Sequence, residues 1–347
     1  MVARPARPPA PIGAGPVTPA DTTSPLLRAE RLSVRFRLRD SLVRAVTDAS
    51  FELHPGRLLA LIGESGCGKS VLAAALLGLL PGNAEIRGAV WLDTAGGLLE
   101  LTTAPERTLA RRVRGRKVAL VPQSAATALT PVRTVRAQLT ETLRALRPEV
   151  TDRKREADRL AETAGLAPTA LDRYPHELSG GMAQRAVLTL ALAGDPDVIL
   201  ADEPTSGLDR PLVNHTMDAL RDLADSGRAI LLITHDITAA ERAATDLAVM
   251  YASRIIEQGP AGDVFANPLH PYTRALLDAT PGRGFTPLPG HPPNLSALPS
   301  GCAFRPRCPD RATCTDDPAL VPVTPHRSLA CARPRVTRAG VSTEDAC

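Results

Sequence analysis

Residues Gly63 to Ser70 read GESGCGKS, a stretch that matches the pattern G-x-x-x-x-G-K-[ST] at every fixed position. It follows LLALI, an apolar run typical of a buried strand, and precedes the helix-like run KSVLAAALLGLL. In this context the N–H groups of the loop and of the helix start point at phosphate oxygens. A tight strand-to-helix turn without a ligand is the alternative. The complete pattern in its required context favours a phosphate-binding loop, called the phosphate loop below.

The side chains of the phosphate loop predict how it holds its ligand. Lys69 supplies a positive charge to the β- and γ-phosphates of a nucleotide, and Ser70 offers a hydroxyl to Mg²⁺. The remaining loop residues are expected to surround the phosphates with backbone: Gly63, Glu64, Ser65, Gly66, Cys67 and Gly68.

Polar residues end three further strand-like runs. Asp202 and Glu203 follow VILA, Gln123 follows KVALVP, and His235 follows AILLIT. A lone Gln or His at such a position is usually a satisfied loop residue, but in doubly wound sheets ligands bind outside the carboxyl ends of the strands. We expect Asp202 to hold the metal, directly or through water, and Glu203 to polarise an attacking water as general base.

The order of strand-like and helix-like runs predicts the fold class. Both kinds of run alternate on either side of a mainly helical stretch, residues 132–178. This pattern is typical of an α/β core that carries an inserted helical subdomain. From about Pro260 the composition shifts to Pro, Arg and Cys with little periodicity, which predicts a separate C-terminal module.

Composition sets wider limits on the 347-residue chain. Its 44% hydrophobic content suits a globular core, and its net charge of +4 is too small to indicate nucleic-acid binding. The longest apolar run, Val71 to Leu80, is about half of a membrane span. Residues 1–25 are rich in Pro and Ala and lack a signal-peptide core, so we expect a disordered tail and a cytosolic chain.

A second anion site is predicted where LSGGMAQR, residues 178–185, opens an apolar helix. Ser179 can cap the helix, and Gly180 and Gly181 leave backbone N–H groups uncovered at the positive end of the helix dipole. The alternative is a helix start that merely packs. Because the chain already has a phosphate loop, a second site is redundant unless it serves the nucleotide of another molecule.

Together these motifs resemble the ATP-binding subunits of ABC transporters over about residues 26–262. LSGGMAQR resembles the signature sequence of that family, Gln123 its Gln loop, SGLD (Ser206 to Asp209) its next conserved loop, and His235 its switch histidine. The resemblance implies a P-loop NTPase core of the ABC type, with an antiparallel β edge and a helical subdomain at about residues 124–184. It implies ATP and Mg²⁺ as ligands.

The resemblance also assigns roles around the nucleotide. Two ATP-binding domains would face each other head to tail, each signature closing on the γ-phosphate held by the other. Phe36 would stack on adenine, although a core phenylalanine on a strand is the alternative. The roles implied are catalysis by Glu203, His235 and Gln123; Mg²⁺ binding by Ser70, Gln123 and Asp202; and nucleotide contacts by Phe36, Ser179, Gly180, Gly181 and Asp209.

The C-terminal segment, residues 263–347, indicates a particular branch of this family. HPYTRALLDATP (270–281) and GCAFRPRCP (301–309) resemble the extension of ATPases from dipeptide, oligopeptide and nickel importers. The Gln loop, QSAATALTP, departs from that branch in lacking its Asp-Pro. The resemblance implies a peripheral protein on the cytoplasmic face of the plasma membrane. Its partners would be a second ATPase subunit (a copy or a paralogue), two permease subunits and, indirectly, a substrate-binding protein, but no nucleic acid.

Four of the six cysteines cluster in this segment with the spacing C-x5-C-x5-C-x16-C. A cytosolic chain rarely keeps structural disulfides, so clustered thiols favour a metal site. Relatives in this branch can carry a [4Fe–4S] cluster here, although the spacing fits no standard template for zinc or for iron–sulfur clusters. Zinc and free cysteines remain alternatives to a cluster on Cys302, Cys308, Cys314 and Cys331.

The function predicted is therefore that of the ATP-hydrolysing subunit of a membrane importer, and the extension indicates di- or oligopeptides as its substrates. The main alternative is a soluble ABC-type ATPase that acts on DNA or ribosomes. A regulator that binds ATP without transport is a third reading, and the acidic and histidine residues argue against such an inactive site.

Overall fold

A computed structural model describes residues 24–39, 41–311 and 317–332. Residues 1–23 of the predicted disordered tail lie outside these ranges. The strands are β1 (Leu27–Arg37), β2 (Leu42–Leu53), β3 (Leu58–Ile62), β4 (Ala84–Leu92), β5 (Leu99–Glu100), β6 (Val118–Val121), β7 (Val198–Asp202), β8 (Ala229–Thr234), β9 (Asp246–Tyr251), β10 (Arg254–Pro260), β11 (Val321–Thr324) and β12 (Arg327–Leu329).

The helices connect these strands and cover the sheet. The α-helices are α1 (Lys69–Leu76), α2 (Glu106–Thr108), α3 (Ala125–Ala128), α4 (Val135–Leu146), α5 (Arg153–Thr163), α6 (Gly180–Ala191), α7 (Arg210–Asp225), α8 (Ile237–Ala243), α9 (Ala261–Ala266) and α10 (Pro271–Asp278). Shorter 3₁₀ turns lie at Pro168–Asp172, Pro175–Glu177, Leu192–Gly194, Pro281–Arg283 and Arg305–Arg307, and a π turn at Leu109–Val113.

The central sheet has the strand order β11-β12-β10-β9-β3-β8-β7-β6. From β9 to β6 neighbouring strands are parallel, whereas β10, β12 and β11 continue the sheet in antiparallel pairs. Every residue of β3 is buried. Because a strand with both faces covered must be apolar throughout, LLALI is the sequence expected of its centre.

Alternation along β3 divides the interior into two layers. Leu58, Ala60 and Ile62 contribute to the hydrophobic cluster beneath the helices between β6 and β7, while Leu59 and Leu61 contribute to the cluster beneath α1. A separate antiparallel sheet, ordered β2-β1-β4-β5, closes the second layer. The predicted α/β core with an antiparallel β region is confirmed.

The inserted helices begin at polar caps. Thr134 accepts a hydrogen bond from the Ala137 N–H at the start of α4, and Asp152 accepts one from the Arg155 N–H at the start of α5. Such caps satisfy N–H groups that the first turn of a helix leaves unpaired. The helical insert predicted between the strands of the core is therefore present, and it runs without interruption by strands into α6.

Part of the C-terminal segment extends the central sheet. Its strand β12 pairs with β10, placing Leu329 opposite Glu257, and β11 pairs with β12. Tyr272 and Phe304 are buried in the same cluster as the inserted helices. Strands of three and four residues carry too little periodicity to be recognised in a Pro-rich sequence, and the division into a separate module stays a prediction.

Candidate nucleotide-binding site

Strand register brings the predicted polar residues to one edge of the central sheet. Ile62, the last residue of β3, pairs with Thr234 at the end of β8, and Asp202 at the end of β7 pairs with Ile233. β6 is next in the same parallel series. The loops that follow these four strands therefore leave the sheet on the same side, which is where doubly wound folds bind ligands.

The phosphate loop has the conformation that its sequence predicts. Gly68 precedes α1 with φ of +113°, and a Cβ there would lie 1.9 Å from the Ala45 carbonyl oxygen, so a glycine is required. The buried Lys69 Nζ donates to the carbonyl oxygens of Gly63 at 2.7 Å and Glu64 at 3.0 Å. The loop thus curls around one ammonium group at the start of a helix, an arrangement suited to anions.

Two oxygen atoms predicted to bind Mg²⁺ lie side by side next to the loop. Ser70 Oγ donates to Asp202 Oδ1 at 3.1 Å. Adjacent ligands of an octahedral Mg²⁺, each about 2.1 Å from the ion, are roughly 3 Å apart, so this pair fits the ion. Partial burial raises the pKa of Asp202, with repulsion from Glu203 acting in the same direction and the Ser70 hydrogen bond opposing both. A divalent cation would relieve that unfavourable burial of negative charge.

Three predicted catalytic residues meet at one carboxylate oxygen. Glu203 Oε2 lies 2.9 Å from His235 Nδ1 and accepts a hydrogen bond from Gln123 Nε2 at 3.4 Å. Glu203 itself has φ of +47°, and its N–H donates to the Ile233 carbonyl oxygen at 2.8 Å. A left-handed conformation costs a residue with a Cβ roughly 1–3 kcal/mol and tends to occur at functional sites.

This geometry separates the predicted roles of Gln123. Its amide nitrogen contacts the carboxylate of Glu203, so the residue adjoins the proposed base. Among the described residues, no hydrogen bond joins Gln123 to the oxygen pair of Ser70 and Asp202. Metal binding by Gln123 stays a prediction.

The signature residues lie at the start of α6. Ser179 Oγ accepts a hydrogen bond from the Met182 N–H at 3.3 Å, as an N-cap should. Gly180 is exposed beside it. In the described part of the chain, no hydrogen bond joins residues 179–181 to the phosphate loop. The two predicted anion sites of one chain are therefore separate, and the service of a second nucleotide by this helix start stays a prediction.

Gly181 has a packing reason of its own. It is buried, and a Cβ at this position would lie 2.5 Å from Leu212 Cδ1 on α7. Any larger residue here must displace that leucine. The alternative of a helix start that packs thus accounts for Gly181. At Gly180, by contrast, an added Cβ would come no closer than 3.8 Å to a described side chain, that of Leu208.

Asp209 is predicted to contact nucleotide, and its carboxylate caps α7 by accepting a hydrogen bond from the Leu212 N–H at 3.0 Å. Residues of the same loop line a cavity of about 400 Å³ together with Glu203 and His235. Asp209 therefore orders a loop that borders the carboxylate of Glu203.

Phe36 lies near the end of β1, where it pairs with Val43 on β2 and Ala84 on β4. It is half-buried and packs against the cluster beneath α1. These contacts fit the alternative of a core residue, and adenine stacking by Phe36 stays a prediction.

The cysteine site is only partly described. Cys302 and Cys308 are half-buried against the main hydrophobic cluster, and Cys331 follows β12. Cys314 lies outside the described residues. Within the described ranges, no group of three or more Cys, His, Asp or Glu side chains is arranged to hold a metal. The [4Fe–4S] prediction therefore has no support from the described residues.

Sequence reasoning missed two residues that fix the phosphate loop from the C-terminal segment. Arg307 donates two hydrogen bonds to the Glu64 carboxylate, and Tyr272 Oη accepts one from the Glu64 N–H. Glu64 thus directs its side chain to the C-terminal segment. Both partners lie in the stretches HPYTRALLDATP and GCAFRPRCP, which the sequence marked as distinctive without assigning them contacts.

Sequence comparisons identify two families along the chain. Residues 46–206 match the family described as ABC transporter, and residues 256–314 match the oligopeptide/dipeptide transporter C-terminal region. Among curated proteins, the oligopeptide transport ATP-binding protein OppD of Mycobacterium tuberculosis is 39% identical over 89% of this chain. This chain spans 52% of the length of that relative.

Other relatives are covered almost completely. The probable peptide ABC transporter ATP-binding protein y4tR of Sinorhizobium fredii is 38% identical, with 89% of this chain and 95% of the relative aligned. OppD of Escherichia coli is 39% identical, with 89% and 93% aligned.

Solved structures show the same fold. The dimeric bacterial ABC transporter cassette MJ0796 aligns with a TM-score of 0.60 at 22% identity, over 68% of this chain and 98% of its own. CbiO1 of Clostridium perfringens aligns with a TM-score of 0.59 at 24% identity, over 70% and 91%. In the described ranges no helix has the length and apolar character needed to cross a membrane.

Proposed function

This chain belongs to the ATP-binding proteins of ABC transporters, in the branch that has the oligopeptide/dipeptide C-terminal region, and on that basis we propose that it binds and hydrolyses MgATP to drive transport. The observation that supports this most strongly is the convergence of four strand ends on one edge. There the lysine loop, an oxygen pair for Mg²⁺ and a carboxylate held by histidine and glutamine lie together.

Each of these residues has a separate role in the proposed reaction. Lys69 and the loop N–H groups neutralise the phosphates, and Ser70 and Asp202 would hold Mg²⁺, which would supply positive charge next to the transferred group. Glu203 accepts a proton from the attacking water. His235 orients that carboxylate through Nδ1 and stabilises it during the attack.

The experiment that tests this function compares MgATP binding and phosphate release by the full chain with those of Lys69→Ala. We expect the variant to lose ATP affinity by roughly tenfold or more, because a charge-assisted contact contributes about 1.5–3 kcal/mol. Equal ATP affinity in both proteins would refute the assignment of the phosphate loop.

We further propose that hydrolysis requires a second ATP-binding subunit, a copy of this chain or a paralogue. The capped start of α6 supports this, since Gly180 is exposed there and the described residues show no hydrogen bond from this helix start to the phosphate loop. Ser179, Gly180 and Gly181 of one subunit would then close on the γ-phosphate held by the other. Asp209 would order the adjoining loop at this contact.

The transported class proposed is di- or oligopeptides, with two permease subunits as membrane partners and a substrate-binding protein acting through them. The match of residues 256–314 supports this branch over a soluble ATPase that acts on DNA or ribosomes. The chain would lie peripherally on the cytoplasmic face of the membrane. Affinity purification from detergent-solubilised membranes tests this: permease subunits in the eluate would support it, and ribosomal protein or nucleic acid would contradict it.

A [4Fe–4S] cluster on Cys302, Cys308, Cys314 and Cys331 is a minor part of the proposal that rests on the clustered cysteines and the family resemblance. Anaerobic purification followed by iron and sulfide analysis tests it. Roughly four of each per chain is the expected result, and a colourless, iron-free protein would refute it.

A further inference from the structure

The C-terminal segment grips one residue of the phosphate loop by both its side chain and its backbone. Arg307 Nη1 donates to Glu64 Oε2 at 2.6 Å and Nη2 donates to Oε1 at 3.0 Å, a bidentate pair across 243 positions of sequence. The Glu64 N–H donates to Tyr272 Oη at 3.0 Å. We call these three contacts the clasp.

Arg307 of the clasp is buried and has contacts in addition to its pair with Glu64. Its side chain is only 5% exposed, and its Nε donates to the Pro289 carbonyl oxygen at 2.7 Å. The guanidinium carbon lies 5.7 Å from the ring centre of Tyr251 and 5.9 Å from that of Phe304. A guanidinium fixed in this way loses little further conformational freedom on pairing with Glu64.

Glu64 of the clasp also contacts Lys69, the residue proposed to bind the phosphates. Lys69 Nζ donates to the Glu64 carbonyl oxygen at 3.0 Å, so this one residue connects the C-terminal segment to the centre of the loop. An unpaired carboxylate here would repel the polyphosphate of a bound nucleotide. Removing one partner of a pair as buried as this also leaves the other charge without compensation.

We propose that Arg307 is a positioning residue for nucleotide binding: it neutralises and orients Glu64, so that docking of the C-terminal segment sets the ATP affinity of the phosphate loop. This inference rests on the proposed function, namely that the loop binds MgATP. It gives the segment a role in the ATPase site of its own chain, separate from any contact it makes with other subunits.

The test measures the Kd for MgATP, together with KM and kcat, on full-length Arg307→Gln, Glu64→Gln and the double variant. Arg307→Gln should raise the Kd by about tenfold or more, the range of a lost charge-assisted pair, with a smaller change in kcat at saturating ATP. The double variant should bind ATP nearly as tightly as Glu64→Gln, because no unpaired carboxylate remains. Arg307→Lys should restore part of the affinity.

Arg305→Gln is the matched control. Arg305 lies in the same 3₁₀ turn but is exposed, so its replacement should leave the Kd unchanged. Tyr272→Phe provides an independent variant that removes only the acceptor of the Glu64 N–H, and it should weaken ATP binding several-fold, about the cost of one unsatisfied buried donor. This variant carries the test if Arg307→Gln does not fold.

Two results would overturn the inference. One is a Kd for Arg307→Gln, or for Tyr272→Phe in its place, within a factor of two of wild type. The other is a double variant that binds ATP as weakly as Arg307→Gln, since the arginine would then act through general packing and not through Glu64. Failure of the wild-type chain to bind MgATP at all would instead refute the proposed function.

Discussion

Replacing Glu203 with glutamine should abolish most hydrolysis while leaving ATP binding intact. The carboxylate lies 2.9 Å from His235 Nδ1 and accepts from Gln123 Nε2 at 3.4 Å, and the amide oxygen of glutamine can accept both contacts. Glutamine also tolerates the φ of +47° no worse than glutamate, since both carry a Cβ. The substitution therefore removes the proposed base with little other change.

The expected magnitude follows from the loss of that base alone. Positioned general bases contribute about 10²–10⁴ to a rate, so turnover should fall by at least about a hundredfold, equivalent to about 2.7 kcal/mol. Steady-state phosphate release measures turnover, and equilibrium nucleotide titration measures the Kd. Glu241→Gln is the control, since Glu241 is an exposed residue of α8 paired with Arg283. Turnover of Glu203→Gln within about fivefold of wild type would refute the assignment of the base.

Three further outcomes follow from the contacts of charged and titratable groups. Burial lowers the pKa of His270 from 6.5 to about 3, so between these two pH values the unfolded chain binds a proton that the folded chain does not. The free energy of unfolding measured in urea should therefore fall as the pH drops below 6.5, by at most about 1.4 kcal/mol per pH unit from this group, and less steeply in His270→Asn. Because the pKa of Asp202 is raised, protons should compete with Mg²⁺ at acidic pH, and the Kd for MgATP should rise as the pH falls. Asp202→Asn should bind MgATP weakly at every pH, whereas a wild-type Kd that does not change with pH would contradict the metal assignment. Arg327→Gln leaves the fully buried Glu257 without its ion-pair partner and should lower the free energy of unfolding by about 3–5 kcal/mol, seen as a lower urea midpoint with an unchanged m-value. The more exposed Arg254→Gln is the control and should lose less than about 1 kcal/mol; a loss that small in Arg327→Gln would contradict the prediction.

Local patterns account for what the sequence predicted well. The phosphate loop is contiguous, and its glycines, lysine and serine report directly on backbone shape and charge. The residues Asp202, Glu203 and His235 each follow a strongly apolar run, so their positions at strand ends could be read without knowing strand order. Parallel pairing of β3, β8 and β7 then brings them to one edge.

Features that depend on distant pairing could not be read from the sequence. The contact between Glu64 and Arg307 joins residues 243 positions apart, and no periodicity marks it. The strands of the C-terminal segment are three and four residues long, so their addition to the central sheet had no detectable signal. The burial of Gly181 against Leu212 likewise depends on how α6 packs, although the glycine itself suggested an open anion site.

The most direct measurement of a nucleotide shared between two subunits is hydrolysis per chain as the concentration of the second ATP-binding subunit is raised, for wild type and for Ser179→Arg. We expect activity to rise with subunit concentration in the wild type. With Ser179→Arg in the second subunit, activity should stay near zero while each isolated chain binds ATP normally. Hydrolysis that is independent of subunit concentration and unaffected by Ser179→Arg would contradict a site built from two subunits.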